Sequence, residues 1–154
     1  MAQIPSSPST KKISDLIGMI NRNELILQPD FQRKLVWAPK HKESFIDTIL
    51  RGFPFPEIYI AQSGIDLETF QSQQVVVDGQ QRLSAIISYV SDELPCRNIP
   101  HYSDLNNQQK ADFLNYDVVV RDLKNASSDT IKEVFRRINL TQYRLNDIEI
   151  NNAI

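Results

Sequence analysis

The stretch that most constrains the fold is Val75-Val76-Val77-Asp78-Gly79-Gln80-Gln81-Arg82-Leu83, together with residues 84–90. Three β-branched residues in a row read as a buried strand. Asp-Gly then signals a turn, and Leu83, Ile86, Ile87 and Val90 recur at the spacing of an amphipathic helix. A strand, a tight glycine turn and a helix leave the first N–H groups of that helix aimed beyond the sheet edge. Free donors and the positive end of the helix dipole coincide there and attract anions. Gly79 lets a ligand come close to the backbone, and Arg82 adds a permanent charge with a fork suited to phosphate. A plainer reading competes: Asp78-x-x-Gln81 is a capping box, which only finishes a helix. An ionised Asp78 would also repel a phosphate at that helix end. An anion site here therefore requires a bridging divalent cation, a nearby arginine, or both.

Length and composition narrow the alternatives. A chain of 154 residues with 41% hydrophobic content is one domain with material for a core. A net charge of −2 gives no global argument for a wide basic face against nucleic acid. The single Cys96 excludes an internal disulfide and a cysteine-cluster metal site, and His41 and His101 are too far apart in sequence to suggest zinc. No apolar run approaches membrane-spanning length, and the start of the chain has no signal-peptide pattern. The expectation is a cytoplasmic protein without membrane contact.

Residues 1–12 are polar, with two prolines and four Ser or Thr, and read as a disordered leader. Ser14 is the expected cap of a short helix carrying Leu16, Ile17 and Ile20. Residues 25–27 read as a strand. Residues 31–37 follow as an extended segment that reads first as a surface loop pinned to the core by Phe31, Val36 and Trp37, and second as one that holds Gln32 and Arg33 toward a ligand. Pro39 opens a helix with Phe45, Ile46, Ile49 and Leu50 inward, and Gly52 ends it. After the stiff Phe53-Pro54-Phe55-Pro56 link, residues 58–61 form a strand, residues 63–66 a turn and residues 67–70 an edge. Residues 73–77 lead into the central motif. Residues 91–100 read as a surface excursion, residues 106–114 as a helix and residues 118–120 as a buried strand. Ser127 and Ser128 offer caps for a helix with Ile131, Val134, Phe135 and Ile138 inward, which puts Arg136 and Asn139 on one flank and Arg137 toward solvent. Asn146 to Glu149 is a capping box opening a helix that the sequence does not finish.

The order of these pieces is informative: Phe-Gln-Arg with Trp37, a helix, Phe-Pro-Phe-Pro before a strand, Asp-Gly-Gln-Gln-Arg, Phe-Arg-Arg-Ile-Asn, then Leu145 and Glu149. It resembles the DGQQR-motif domain of GmrSD-type modification-dependent restriction proteins and of the phage-defence protein SspE, over residues 13–154. The resemblance implies an α+β, ParB/sulfiredoxin-like fold, a small mixed sheet flanked by helices. It also implies a C-terminal effector domain beyond the sequence given.

The resemblance further implies Mg²⁺-dependent binding and hydrolysis of a nucleoside triphosphate that controls a DNA-targeting nuclease domain or subunit. On that implication Asp78, Gln81 and Arg82 are the catalytic candidates. Gln32, Arg33, Gly79, Gln80 and Arg136 grip the nucleotide, and Asp78 and Asn139 hold the metal. A sulfiredoxin activity would need a cysteine in the turn, where this chain has Gln80. A chromosome-partitioning role would need a basic arginine pair and a downstream DNA-binding helix-turn-helix. Two alternatives stand beside the hydrolase: a non-catalytic module binding nucleotide or DNA through Arg33, Lys34, Lys40, Lys42 and Arg82, and a scaffold in which Asp78 and Gln81 only cap a helix.

Overall fold

The computed structural model describes residues 3–4, 6–27, 37–65, 67–138 and 140. They form an α+β domain on a five-stranded mixed sheet. The strands are β1 (Ser7–Lys12), β2 (Leu25–Ile26), β3 (Ile58–Ile65), β4 (Ser72–Asp78) and β5 (Asp117–Asp122), in the order β1-β5-β3-β4-β2. β3 pairs antiparallel with β4 and parallel with β5, β2 runs parallel to β4, and β1 runs antiparallel to β5. Helices α1 (Ile13–Asn21), α2 (Pro39–Leu50), α3 (Gln80–Val90) and α4 (Asn107–Leu114) close one face. Ile13, Leu16, Phe45, Ile46, Ile49, Leu83, Ile86, Tyr89 and Phe113 meet Ile58, Ile60, Val76 and Val120 in the larger core. On the second cluster, Ile131 of a helix over residues 128–138 (α5) packs with Ala61, Val75, Val77 and Leu123.

Local chemistry explains where the helices start and stop. Pro39 stands in the first turn of α2. At its other end Gly52, at φ +73°, donates to the Ile49 carbonyl, and the Phe53 N–H donates to the Thr48 carbonyl. That is a Schellman ending, which needs a left-handed residue. Asn106 and Gln109 exchange hydrogen bonds of 2.8 and 2.9 Å in a capping box that opens α4. Ser127 Oγ accepts from the Thr130 N–H at 3.2 Å, the expected cap of α5.

Several expectations are corrected. Ser7–Lys12 is not a disordered leader: it forms the edge strand β1, in register with β5 from Ser7–Asp122 to Lys12–Asp117. Its composition concealed this because the ladder is made by backbone groups, and Pro8 is tolerated on an edge. α1 begins at Ile13 with Lys12 as its N-cap, so Ser14 lies inside the helix. β3 runs on to Ile65, past the turn expected there, because Gly64 sits at a register shift rather than at a reversal. The reversal falls at Leu67, Glu68 and Thr69, where an edge strand was expected, and Leu67 and Phe70 are largely exposed. β5 is not buried throughout: Val118 and Val120 face the core while Val119 is exposed. On α3 the inward face centres on Leu83, Ala85, Ile86 and Tyr89, and Ile87 and Val90 are half-buried. The capping box at residues 146–149 lies outside the described residues.

Glu43, one turn into α2, is the polar anchor of the excursion after α3. Its Oε1 accepts the N–H groups of Arg97, Asn98 and Ile99 at 2.9, 2.5 and 3.1 Å. Those bonds, the Asn98 one foremost, hold its carboxyl below the ordinary value of 4.5. The stability it contributes is therefore present above about pH 4.5 and lost as pH falls through its depressed folded value. Glu43→Gln is expected to lower the melting temperature at pH 7 and to flatten its decline between pH 5 and about pH 3. Melting curves across that range on both proteins check it.

Candidate functional site

The central motif folds as its pattern required. Val75, Val76 and Val77 end β4, Asp78 is its last residue, and Gly79 is the N-cap of α3 at φ +111°. A side chain at Gly79 would be strained by that backbone angle, and its Cβ would lie 2.9 Å from Ile58 Cγ1. Glycine is thus required twice, for the turn and for the packing of the corner onto β3. Gly79→Ala should destabilise the domain by about 1–3 kcal/mol from backbone strain alone, read from urea unfolding.

The capping box is not formed. Asp78 turns from the helix start to Arg82, its Oδ2 accepting from Nη2 at 3.1 Å. Gln81 Oε1 instead accepts the Trp37 N–H at 3.1 Å. The N-cap, Gly79, has no side chain to cap α3, and its own N–H donates to the Asp78 carboxyl. Gln80 is buried and donates from Nε2 to the Val76 carbonyl at 3.2 Å, tying the helix back to the strand it left.

Arg82 is deeply buried and fully engaged. Besides Asp78 it donates from Nη1 to the Pro56 carbonyl, and its guanidinium lies 5.7 Å from the centre of the Phe55 ring. Phe55 stacks on Tyr116 and meets Phe45 edge-on, which in turn meets Trp37. The Phe-Pro-Phe-Pro link is thereby the floor under Arg82, and Trp37 anchors to the core as expected. Burial pushes the Asp78 carboxyl up, opposed by the charge of Arg82. Burial likewise pushes Arg82 down, opposed by Asp78.

A second group adjoins this one and went unnoticed in the sequence. Tyr59 on β3 is the register partner of Asp78 on one side and of Arg121 on the other. Its hydroxyl donates to Glu57 Oε1 at 2.9 Å, and Arg121 Nε donates to the same oxygen at 3.1 Å. Burial first, then the hydrogen bond to Glu57, raise the Tyr59 phenol to about 12. The signal was available in outline: Glu57, just before β3, and Tyr59 are two apart in an extended stretch, as Val119 and Arg121 are on β5. Nothing in a sequence says that the two strands pair.

The structure therefore brings together Asp78, Gly79, Gln80, Gln81 and Arg82, and adds Glu57, Tyr59 and Arg121. Arg136 stands on α5 and is engaged by Glu133, with Nη2 to Oε1 at 2.7 Å. Arg137 faces solvent, as expected, and pairs there with the same carboxylate. Gln32, Arg33, Lys34 and Asn139 lie outside the described residues. At the start of α2, Lys40 and His41 are exposed and Lys42 is half-buried.

Among the described residues no group of three or more His, Cys, Asp or Glu side chains is placed to hold a metal ion. Asp78 supplies one carboxylate. That donor set does not make a protein cage, but it fits a Mg²⁺ ion that arrives on phosphate oxygens, since such ions are commonly held by one or two carboxylates plus the substrate.

Residues 13–154 match the family model described as GmrSD restriction endonuclease, N-terminal domain. The chain belongs to that family. No curated protein and no solved structure matches it. The GmrSD N-terminal domain seen here is the α+β unit just described, and no described helix is long and apolar enough to cross a membrane. β1 precedes the matched region and yet completes the sheet.

The buried ion pair yields a sharp expectation for stability. Arg82→Met leaves Asp78 buried without its partner and should cost about 3–5 kcal/mol. Adding Asp78→Asn should recover a large part of that loss, because no uncompensated charge then remains. Urea unfolding of the two single variants and the double variant completes the cycle.

Proposed function

We propose that this GmrSD N-terminal domain binds a nucleoside triphosphate with Mg²⁺ and hydrolyses it, regulating a DNA-targeting nuclease domain or subunit in restriction or phage defence in the cytoplasm. The observation that carries the reading is the start of α3. Its amides follow a left-handed glycine that has no side chain to cap them, and the one carboxylate beside them is partnered by arginine. The sequence posed a conflict between an anion site and Asp78, and Arg82 supplies the neighbouring cation that relieves it. Family membership supports the restriction context.

In this reading the N–H groups of Gln80 and Gln81 face phosphate oxygens while that of Gly79 donates to Asp78, and a bound Mg²⁺ would supply further neutralisation of phosphate charge. The Asp78 carboxylate, bonded through Oδ2 to Arg82 and accepting the Gly79 N–H, would hold the ion or orient a water. Arg82 acts through Asp78, fixing its rotamer, rather than by touching the phosphoryl group, because its donors are committed to Pro56 and Asp78. Gln81 fixes the backbone at Trp37, immediately after the segment that carries Gln32 and Arg33.

That commitment of Arg82 also favours a second reading, in which the domain binds nucleotide or DNA without chemistry. A transition-state cation is not provided by the arginine of the central motif itself. The two readings separate on Asp78→Asn. For the hydrolase, phosphate release with Mg²⁺ and nucleotide should fall about 10²–10³-fold, while the melting shift given by nucleotide persists. A protein that releases no phosphate and binds DNA with steep salt dependence would establish the second reading instead.

A further inference from the structure

The row of side chains across β5, β3 and β4 does more than continue the corner. Cα pairing sets Arg121 beside Tyr59 on one face, and Tyr59, at a register shift, beside Asp78, whose carboxylate is close enough to act on the Tyr59 phenol. Arg121 is thus two strand spacings from Asp78, about 10 Å. The two arginines of this row are in different states. Arg82 is 8% exposed and its donors are taken. The Arg121 side chain is 32% exposed and bonds to Glu57, itself partly exposed, and loosely to Ser6 Oγ at 3.4 Å.

We propose that Arg121 is a phosphate-binding residue of the site and that Glu57 is its internal stand-in anion, occupying the guanidinium until a phosphate group displaces it. The ligand class is a polyphosphate chain, whose length suits the distance from the α3 amides to Arg121. Glu57 offers a carboxylate oxygen where a phosphate oxygen would sit, accepting from Arg121 Nε and from the Tyr59 hydroxyl together. Tyr59 stays protonated across the physiological range, so it remains a donor to whichever anion is present. On displacement no covalent bond changes: Arg121 and Tyr59 exchange one oxygen acceptor for another, and Glu57 turns to water. Arg82, locked under Asp78, is left as the positioning residue and Arg121 as the one that meets the ligand. This inference rests on the polyphosphate reading of the corner.

The test is calorimetric titration of the full chain with inorganic triphosphate plus Mg²⁺. Glu57→Gln keeps an acceptor for Tyr59 but removes the competing charge, and should tighten binding roughly tenfold. Arg121→Gln should weaken it by a similar factor, on the scale of one charge-assisted hydrogen bond. Arg121→Lys, keeping the charge without the fork, should fall between. In the double variant Glu57→Gln/Arg121→Gln the gain should vanish, an outcome that loss of packing would not produce. If the wild-type chain binds triphosphate and neither Glu57→Gln nor Arg121→Gln alters its affinity, this inference falls while the reading of the α3 corner stands. If neither the wild type nor Glu57→Gln binds, both fall. If only Glu57→Gln binds, the stand-in role of Glu57 is established.

Discussion

One buried ion pair ties the site to the fold. Asp78 closes β4 and Arg82 lies one turn into α3, so their bond spans the glycine joint between strand and helix. Taking both charges out of water is costly, and attraction alone repays it only when the remaining donors are also satisfied. Here they are: the Pro56 carbonyl takes Nη1, and the Phe55 ring lies against the guanidinium. The approach to β3, the exit of β4 and the start of α3 are thereby fixed to one another by a single side chain.

The same bond resolves what the residues of the motif can do. Asp78 spent on capping would have occupied the amides and repelled an anion. Asp78 spent on Arg82 has its charge partnered, with Oδ2 on the arginine and the Gly79 N–H, ahead of the first turn, donating to the carboxyl. Gln81, the other half of the expected box, serves Trp37. A four-residue spacing that reads as a cap is therefore a pair of longer-range ties. The difference is one of position: Gly79 is the N-cap of α3, so Asp78 stands one residue before the place from which a side chain caps.

Much of the architecture was legible. The Val triplet, the stripe on α3, the Pro39 and Gly52 boundaries of α2, the Asn106 box and the Ser127 cap all follow from chemistry within a few residues of where it acts. What was not legible depends on partners far along the chain. β1 is a strand because β5 offers it an edge. Glu43 is inward because three amides of the 97–99 segment surround it. Glu57, Tyr59 and Arg121 meet only through the pairing of β3 with β5. The Asp78–Arg82 pair is an intermediate case. Its spacing is that of a helical ion pair, but Asp78 precedes the helix, and a rule for residues within one helix does not cover a pair that straddles a joint.

Local charge balance explains why a divalent cation belongs in the argument at all. Along the row, Arg82 and Arg121 are matched by Asp78 and Glu57, so these four groups sum to zero, and the whole chain carries −2. A polyphosphate entering such a row meets no excess positive charge beyond the partial charges of the α3 amides. Its own charge must then be offset by a cation that travels with it, by the retreat of one carboxylate, or by both. Asp78 cannot retreat, since it is buried and holds Arg82. Glu57, nearer to solvent and tied only through side-chain bonds, can. In the proposed reading the two carboxylates of the row divide the work by burial: the deep one fixes the corner and would face a metal, and the shallow one would yield its arginine.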